Sequence, residues 1–378
     1  MTAAMNVMRL SCVVATGCLV GLLCAQPPSA LQHPFLWDRE FSQQPNYYIP
    51  EAGVLDSHNV LWVLCSARMG SEGYDKQHVT EAIFRIDDQG RQLSTAELGL
   101  PLSDQEREET SDYRIASVAK GGMGLVFNKI RFEARGQSYL GSYFTALESN
   151  GTAGPLRQVA GSDFENSSLI SMTNGDFLLA GGLGALLTFD PAGVVRWKKS
   201  FDQPILTNFA SANLSDGTIC VSAWTMTRAR LLNKLRVMQL DQHGNVLHTT
   251  DIDALRGQVA AGPNGSCAVL YDSAPGVRKG EYYLTVFDHT STRQWTVPVP
   301  KTSASGAEFH LVSLPEGYLA QINDVLVEHT WSGKEIWTET TGAVPTIVVP
   351  SRDGFFIIAK DQPGKTGFHV TRATTTHE

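Results

Sequence analysis

Ser168 to Gly182 reads SLISMTNGDFLLAGG, an apolar run, a polar turn carrying Asn174-Gly175, and a second apolar run. Two strand-like runs joined by such a turn form a β-hairpin, because glycine accepts the positive φ whose twist matches the flanking strands. The same unit returns six times: GVLDSHNVLWVLCSA from Gly53, IASVAKGGMGLVFNK from Ile115, FASANLSDGTICVSAW from Phe209, VAAGPNGSCAVLYD from Val259, FHLVSLPEGYLAQIN from Phe309 and TIVVPSRDGFFIIAK from Thr346. Self-similarity at this period means that each unit is one piece of a repeat architecture, unable to bury its own apolar faces alone.

After each hairpin a third strand runs into an acidic turn, as in Phe84-Arg-Ile-Asp-Asp-Gln-Gly90, Leu187-Thr-Phe-Asp-Pro-Ala-Gly193, Met238-Gln-Leu-Asp-Gln-His-Gly244 and Thr285-Val-Phe-Asp-His-Thr-Ser291. A fourth strand follows, opening with G-x-x-x-W at Gly193 to Trp197 and Gly333 to Trp337, and with Ser291 in place of glycine before Trp295. Four strands per unit and seven units predict an all-β, seven-bladed β-propeller. The last unit has no fourth strand after Gly367 to Arg372, while Pro34 to Phe41 shares W-x-x-x-F with Val194 to Phe201. The N-terminal strand around Trp37 is therefore expected to complete the last blade and close the ring, leaving no open sheet edge there.

The stretch Asp190 to Trp197, D-x-x-G-x-x-x-W, resembles the tryptophan-docking signature of pyrroloquinoline-quinone-type propeller repeats. That resemblance implies indoles packed between blades. Ser94 and His248 replace the tryptophan in blades one and four, and blade two has no such aromatic after Glu148-Ser-Asn-Gly151. The quinone pocket of that family is associated with adjacent cysteines and a calcium site; the chain beyond residue 30 has no Cys-Cys pair, so the fold is carried over and no cofactor is expected.

Residues 1–30 differ from the rest, with Arg9 followed by an apolar run from Leu10 to Ala25 and then Gln26-Pro27-Pro28-Ser29-Ala30. This reads as a signal peptide for export, with a single propeller domain over 31–378 and no transmembrane segment after cleavage, the apolar run being shorter than the roughly 20 residues a span requires. Cys18 and Cys24 are poorly placed for lipid attachment, so a lipid anchor is disfavoured. Cleavage leaves Cys65, Cys220 and Cys267. Buried free thiols are the plainer reading of an odd number, with a Cys220 to Cys267 bridge between neighbouring blades as the sharper one.

A net charge of −8 argues against nucleic-acid binding, which needs a basic surface. The chain has no H-E-x-x-H, G-x-S-x-G or P-loop, no histidine pair at metal-ligand spacing, and turn aspartates that read as hydrogen-bonding residues rather than as calcium ligands. Basic residues gather between second and third strands: Lys129, Arg131 and Arg135 in blade two, Arg228, Arg230 and Lys234 in blade four, Arg278 and Lys279 in blade five. Acids such as Glu133 and Glu281 accompany them. If these segments share a rim, it suits an anionic ligand or an acidic partner. The expected function is a non-enzymatic binding or scaffold module of the cell envelope or exterior, with an unidentified protein or glycan partner. The alternative is an exported enzyme acting on a polysaccharide, its site built from loops, with Asp75, His78 and Glu133 as examples of available acids and bases.

Overall fold

The computed structural model describes residues 35–42, 46–69, 79–98, 108–133, 136–161, 164, 166–181, 184–201, 205–226, 231–273, 281–300, 309–341, 345–360 and 367–375. They form seven antiparallel sheets of four strands each, one per blade, arranged as a ring. The one helical piece among them is a 3-10 turn at Pro263–Gly265. In six blades the four strands follow one another in sequence, from the innermost to the outermost. In the seventh, Pro345–Ser351, Gly354–Lys360 and Phe368–Thr374 are joined by Phe35–Phe41, which pairs with Phe368–Thr374 from Phe35↔Ala373 to Phe41↔Phe368.

Blade packing explains the sequence pattern. Second and third strands such as Phe177–Gly181 and Ala185–Phe189 are buried at every residue, whereas the outer strand Val195–Ser200 is exposed at alternate positions. An inner strand covered on both faces has no need to alternate, and its sequence reads as a continuous apolar run. The buried residues fall into seven clusters, one for each seam between neighbouring blades. Between blades seven and one, Phe41 stacks on Phe368 at 5.5 Å and Phe84 meets Phe368 edge-on at 5.0 Å.

Turn chemistry repeats as well. Asp87, Asp190, Asp241 and Asp288 each accept the backbone N–H groups two and four residues on, at 2.8 to 3.0 Å. Burial alone would raise the Asp87 carboxyl, but the Arg91 and Gln89 N–H groups and the Arg91 guanidinium outweigh it and hold it below the ordinary value. Glycine serves two purposes. Gly175 turns at φ +85°, as the hairpin requires. Gly317 and Gly354 do not have positive φ; a Cβ there would come within 1.9 Å of the His329 carbonyl and 2.1 Å of the Ala373 carbonyl, so in blades six and seven glycine allows close strand approach instead.

Tryptophan docking crosses three seams. The indole N–H of Trp37 donates to the Asp88 carbonyl at 2.9 Å, Trp197 to Gln242 at 3.0 Å and Trp295 to Trp331 at 3.0 Å, always onto the next blade. Each ring also covers that blade's turn glycine, Gly90, Gly244 or Gly333. Where the tryptophan is missing, long polar side chains take over. Arg157 covers Gly193, Arg85 approaches Gly151, and Gln239 donates to the Asp288 carbonyl at 3.0 Å. Cys220 and Cys267 form a disulfide between the second strands of blades four and five, and Cys65 is a buried thiol. The plainer reading of the cysteines therefore holds for Cys65 and fails for the other two, whose strands meet across a seam that sequence spacing does not reveal.

Candidate functional site

Up-and-down strands put the first-to-second and third-to-fourth turns on one rim. The other rim is where innermost strands begin and second strands end. The innermost strands carry irregularities in their first halves or at mid-strand. Register shifts occur between Pro50 and Ala52, Ser111 and Arg114, Asn166 and Ser168, Thr207 and Ala210, Ala254 and Gly257, and Pro345 and Ile347. Blade six, with Phe309–Leu314, pairs without a shift. A bulge frees a residue from the ladder and re-aims its side chain. The residues so released include Glu51 in blade one, Asp112 and Tyr113 in blade two, and Arg256 in blade five. They add charged and hydroxyl groups to the inner strands of these blades.

The densest polar network spans blades one and two. Glu81 is buried in a third strand rich in apolar residues, where its carboxylate accepts the hydroxyls of Tyr113 and, at 2.9 Å, Thr110, both from the next blade. Beside it Ser66 donates to Glu51 at 2.9 Å. Asp112, at φ +53°, accepts the Ser111 hydroxyl and the Asn128 amide, both at 3.1 Å. Ser142 extends the chain by donating to Asn128 Oδ1 at 2.8 Å. Burial, reinforced by the Glu81 charge and hydrogen bond, pushes the Tyr113 phenol well up, and burial followed by the Glu51 charge does the same to the Cys65 thiol. Both groups hold their protons at neutral pH, so neither supplies an anionic nucleophile. What the seam offers is acceptors and fixed hydroxyl dipoles.

Across the ring, Arg256 is held by Asp272, through its N–H at 2.9 Å and its Nε at 3.2 Å, and lies 5.1 Å above the Phe309 ring. Among the described residues no group of three or more histidine, cysteine, aspartate or glutamate side chains is placed to hold a metal ion.

Of the basic residues singled out in the sequence, Arg135, Arg228, Arg230, Arg278 and Lys279 lie outside the described residues, as do Asp75 and His78. The other three are strand residues rather than loop residues. Lys129 and Arg131 belong to Met123–Glu133 and Lys234 to Leu231–Leu240. The blade-two segment looked like a long loop because its polar residues alternate with Ile130 and Phe132, yet it is paired throughout with Gly136–Leu147. Lys129 lies 5.0 Å from the Tyr143 ring centre, and Lys234 pairs with Asp253 at 2.5 Å, which raises its ammonium pKa. Lys234 is thus already matched by an acid. Glu51, Glu81, Asp112 and Tyr113 were missed by sequence reasoning; the one signal was Glu81, the single acid in the strand Val79–Ile86.

No protein-family model matches the chain, and no curated protein resembles it significantly. Solved structures do. The WD40 domain of Pan2 from Neurospora crassa aligns over 88% of this chain and 90% of its own, with 12% identity and a TM-score of 0.52. BBS1N, solved in complex with ARL6DN, aligns over 92% of this chain and 98% of its own, with 9% identity and a TM-score of 0.51. BamB from Moraxella catarrhalis aligns over 90% of this chain and 100% of its own, with 12% identity and a TM-score of 0.46. At these identities the likeness is one of fold. Among the described residues no helix is long and apolar enough to cross a membrane.

Proposed function

We propose that this chain is an exported β-propeller that binds or scaffolds a partner through the rim at its channel mouth, on repeats of the pyrroloquinoline-quinone-like type used without a cofactor. The observation that carries the reading is the set of bulged inner strands, which release Glu51, Asp112, Tyr113 and Arg256 from the ladders of blades one, two and five while leaving the phenol and the nearby thiol protonated. Such a surface recognises by hydrogen bonds and charge. A fold-mate solved in complex with a protein, BBS1N with ARL6DN, supports the use of this architecture for partner binding.

Export is supported by residues 1–30, read as a signal peptide, and by the Cys220–Cys267 bridge, since structural disulfides persist in oxidising compartments such as the periplasm or the cell exterior. The repeat type is supported by the three docked indoles. The finer part of the proposal is that Lys129, Arg131, Arg135, Arg228, Arg230, Arg278 and Lys279 give the same rim an affinity for carboxylate-rich ligands. Polygalacturonate and poly-glutamate are suitable probes for the purified protein. Saturable, salt-sensitive binding that falls at least about tenfold in the Arg228→Ala/Arg230→Ala double variant is expected. Binding that is absent, or unchanged in that variant, removes the carboxylate assignment.

A further inference from the structure

On the opposite rim, the second residue of each third-to-fourth-strand turn occupies a repeated position, fixed by the carbonyl that receives the preceding blade's indole: Asp88, Gln242 and Trp331. Its side chain meets the neighbouring blade. In blade six Trp331 packs into the core of the seam with blade five, edge-on to Tyr318 at 4.7 Å. In blade four Gln242 closes the gap by donating to Thr173 of blade three at 3.4 Å. In blade one the residue is the short Asp88, and here a cavity of about 360 Å³ is left between blades seven and one.

The walls of this cavity are chemically specific. Leu55 and Phe356 supply apolar surface, and Arg372 lies 5.6 Å over the Phe356 ring. Arg372 already has structural partners, donating from one terminal nitrogen to both Asp353 carboxylate oxygens at 3.0 Å and from the other to the Asp88 carbonyl at 2.6 Å. Arg352, Asp88 and Asn59 are exposed lining residues, and among the described residues their side chains have no hydrogen-bond or ion-pair partner. One free guanidinium and one free carboxylate therefore flank a slot of mixed character, with Leu55 and Phe356 as its apolar walls, at the turn position that Trp331 holds in blade six. The size lies at the low end for small-molecule sites, right for a single fused or phenyl ring.

We propose that this notch binds an aromatic α-amino acid, the ring replacing the missing Trp331-like side chain, the carboxylate meeting Arg352 and the ammonium meeting Asp88. The site is separate from the channel mouth and does not depend on it. Opposite charges on one ligand match the separated, unpaired charges here better than a purely anionic or purely apolar one, and an Arg fork suits a planar carboxylate.

The test uses the purified full chain, titrated with L-tryptophan, indole-3-acetate and tryptamine by calorimetry. L-Tryptophan is expected to saturate below about 10 mM, with the two half-charged analogues at least about tenfold weaker. Arg352→Ala is expected to weaken L-tryptophan about tenfold without changing the melting temperature, because its side chain is unpaired. Asp88→Trp is expected to abolish binding and raise the melting temperature by filling the slot, with Asp88→Asn as the variant that keeps the volume and removes the charge. Absence of saturable L-tryptophan binding, equal affinity for all three probes, or affinity unchanged in both Arg352→Ala and Asp88→Asn overturns the proposal. Its outcome is independent of the polyanion experiment, which probes the other rim.

Discussion

Trp197 rests on Gly244 so closely that a Cβ on the glycine would come within 2.7 Å of the indole. The glycine also stands at φ +73°, so a side chain there suffers twice. Gly175, at φ +85° with nothing within 4 Å of its missing Cβ, suffers once. Gly175→Ala is expected to cost about 1 kcal/mol from backbone strain, and Gly244→Ala distinctly more because the docked ring must move. Urea denaturation midpoints compare them directly; equal losses would show that docking contributes nothing beyond the turn.

Asp56 performs a wider task than the other turn aspartates. It accepts the N–H groups of His58 and Val60 at 2.8 and 3.0 Å, the buried Trp62 indole at 2.9 Å, and the N–H of Gly122 in blade two at 3.1 Å. Asp56→Ala orphans several buried donors at once and is expected to cost about 3 kcal/mol or more, against about 1 kcal/mol for Asp87→Ala in an exposed turn. A calorimetric melting series of the two variants checks the ranking.

His329 gives the fold an acid-sensitive element. Burial lowers its pKa, while Glu335 and Glu328 oppose that shift without cancelling it. Above the ordinary imidazole value of about 6.5 neither folded nor unfolded chain is protonated there, and the histidine adds no pH dependence. As pH falls through that value the unfolded chain takes up a proton first, so stability is lost from about pH 6.5 down to the depressed folded value. His329→Gln should flatten the decline of melting temperature between pH 7 and pH 5. An unchanged profile would assign the decline to other groups.

The disulfide lends itself to counting. Protein purified from an oxidising compartment, with residues 1–30 removed, should show one thiol on denaturation, that of Cys65. Replacing Cys220 and Cys267 with alanine is expected to cost about 2 to 4 kcal/mol, from the freedom regained by the unfolded chain. Three thiols would show that Cys220 and Cys267 do not pair.

The seven hairpins were legible because each is written in adjacent residues, as in Ser168 to Gly182, and because the turn aspartates bond to their own backbone within four residues. The channel mouth was not. Whether Asp112 and Tyr113 stand in a ladder or outside it depends on Asn128 and Val126 in the partner strand, and burial of Glu81 depends on Thr110 and Tyr113 from another blade. The substitutes for docking tryptophans were hidden for a related reason. Arg85 and Gln239 reach the next blade from third strands, where the repeat signature places no marker. Residues that act across a seam leave only weak traces in local sequence.

The pairing of Phe35–Phe41 with Phe368–Thr374 bears on how the molecule is made. Asp38 accepts the Thr371 hydroxyl at 3.0 Å across a separation of 333 residues. A ribosome delivers the first of these strands long before the second, so the early one must wait without its partner. Blades one to six can form in order as the chain emerges, but the seventh cannot. The final event of folding is then the capture of the earliest strand by the latest, a pairing of high sequence separation that waits on synthesis of the whole chain. Under the proposed export the chain crosses its membrane before that step, and the finished ring belongs to the far side alone.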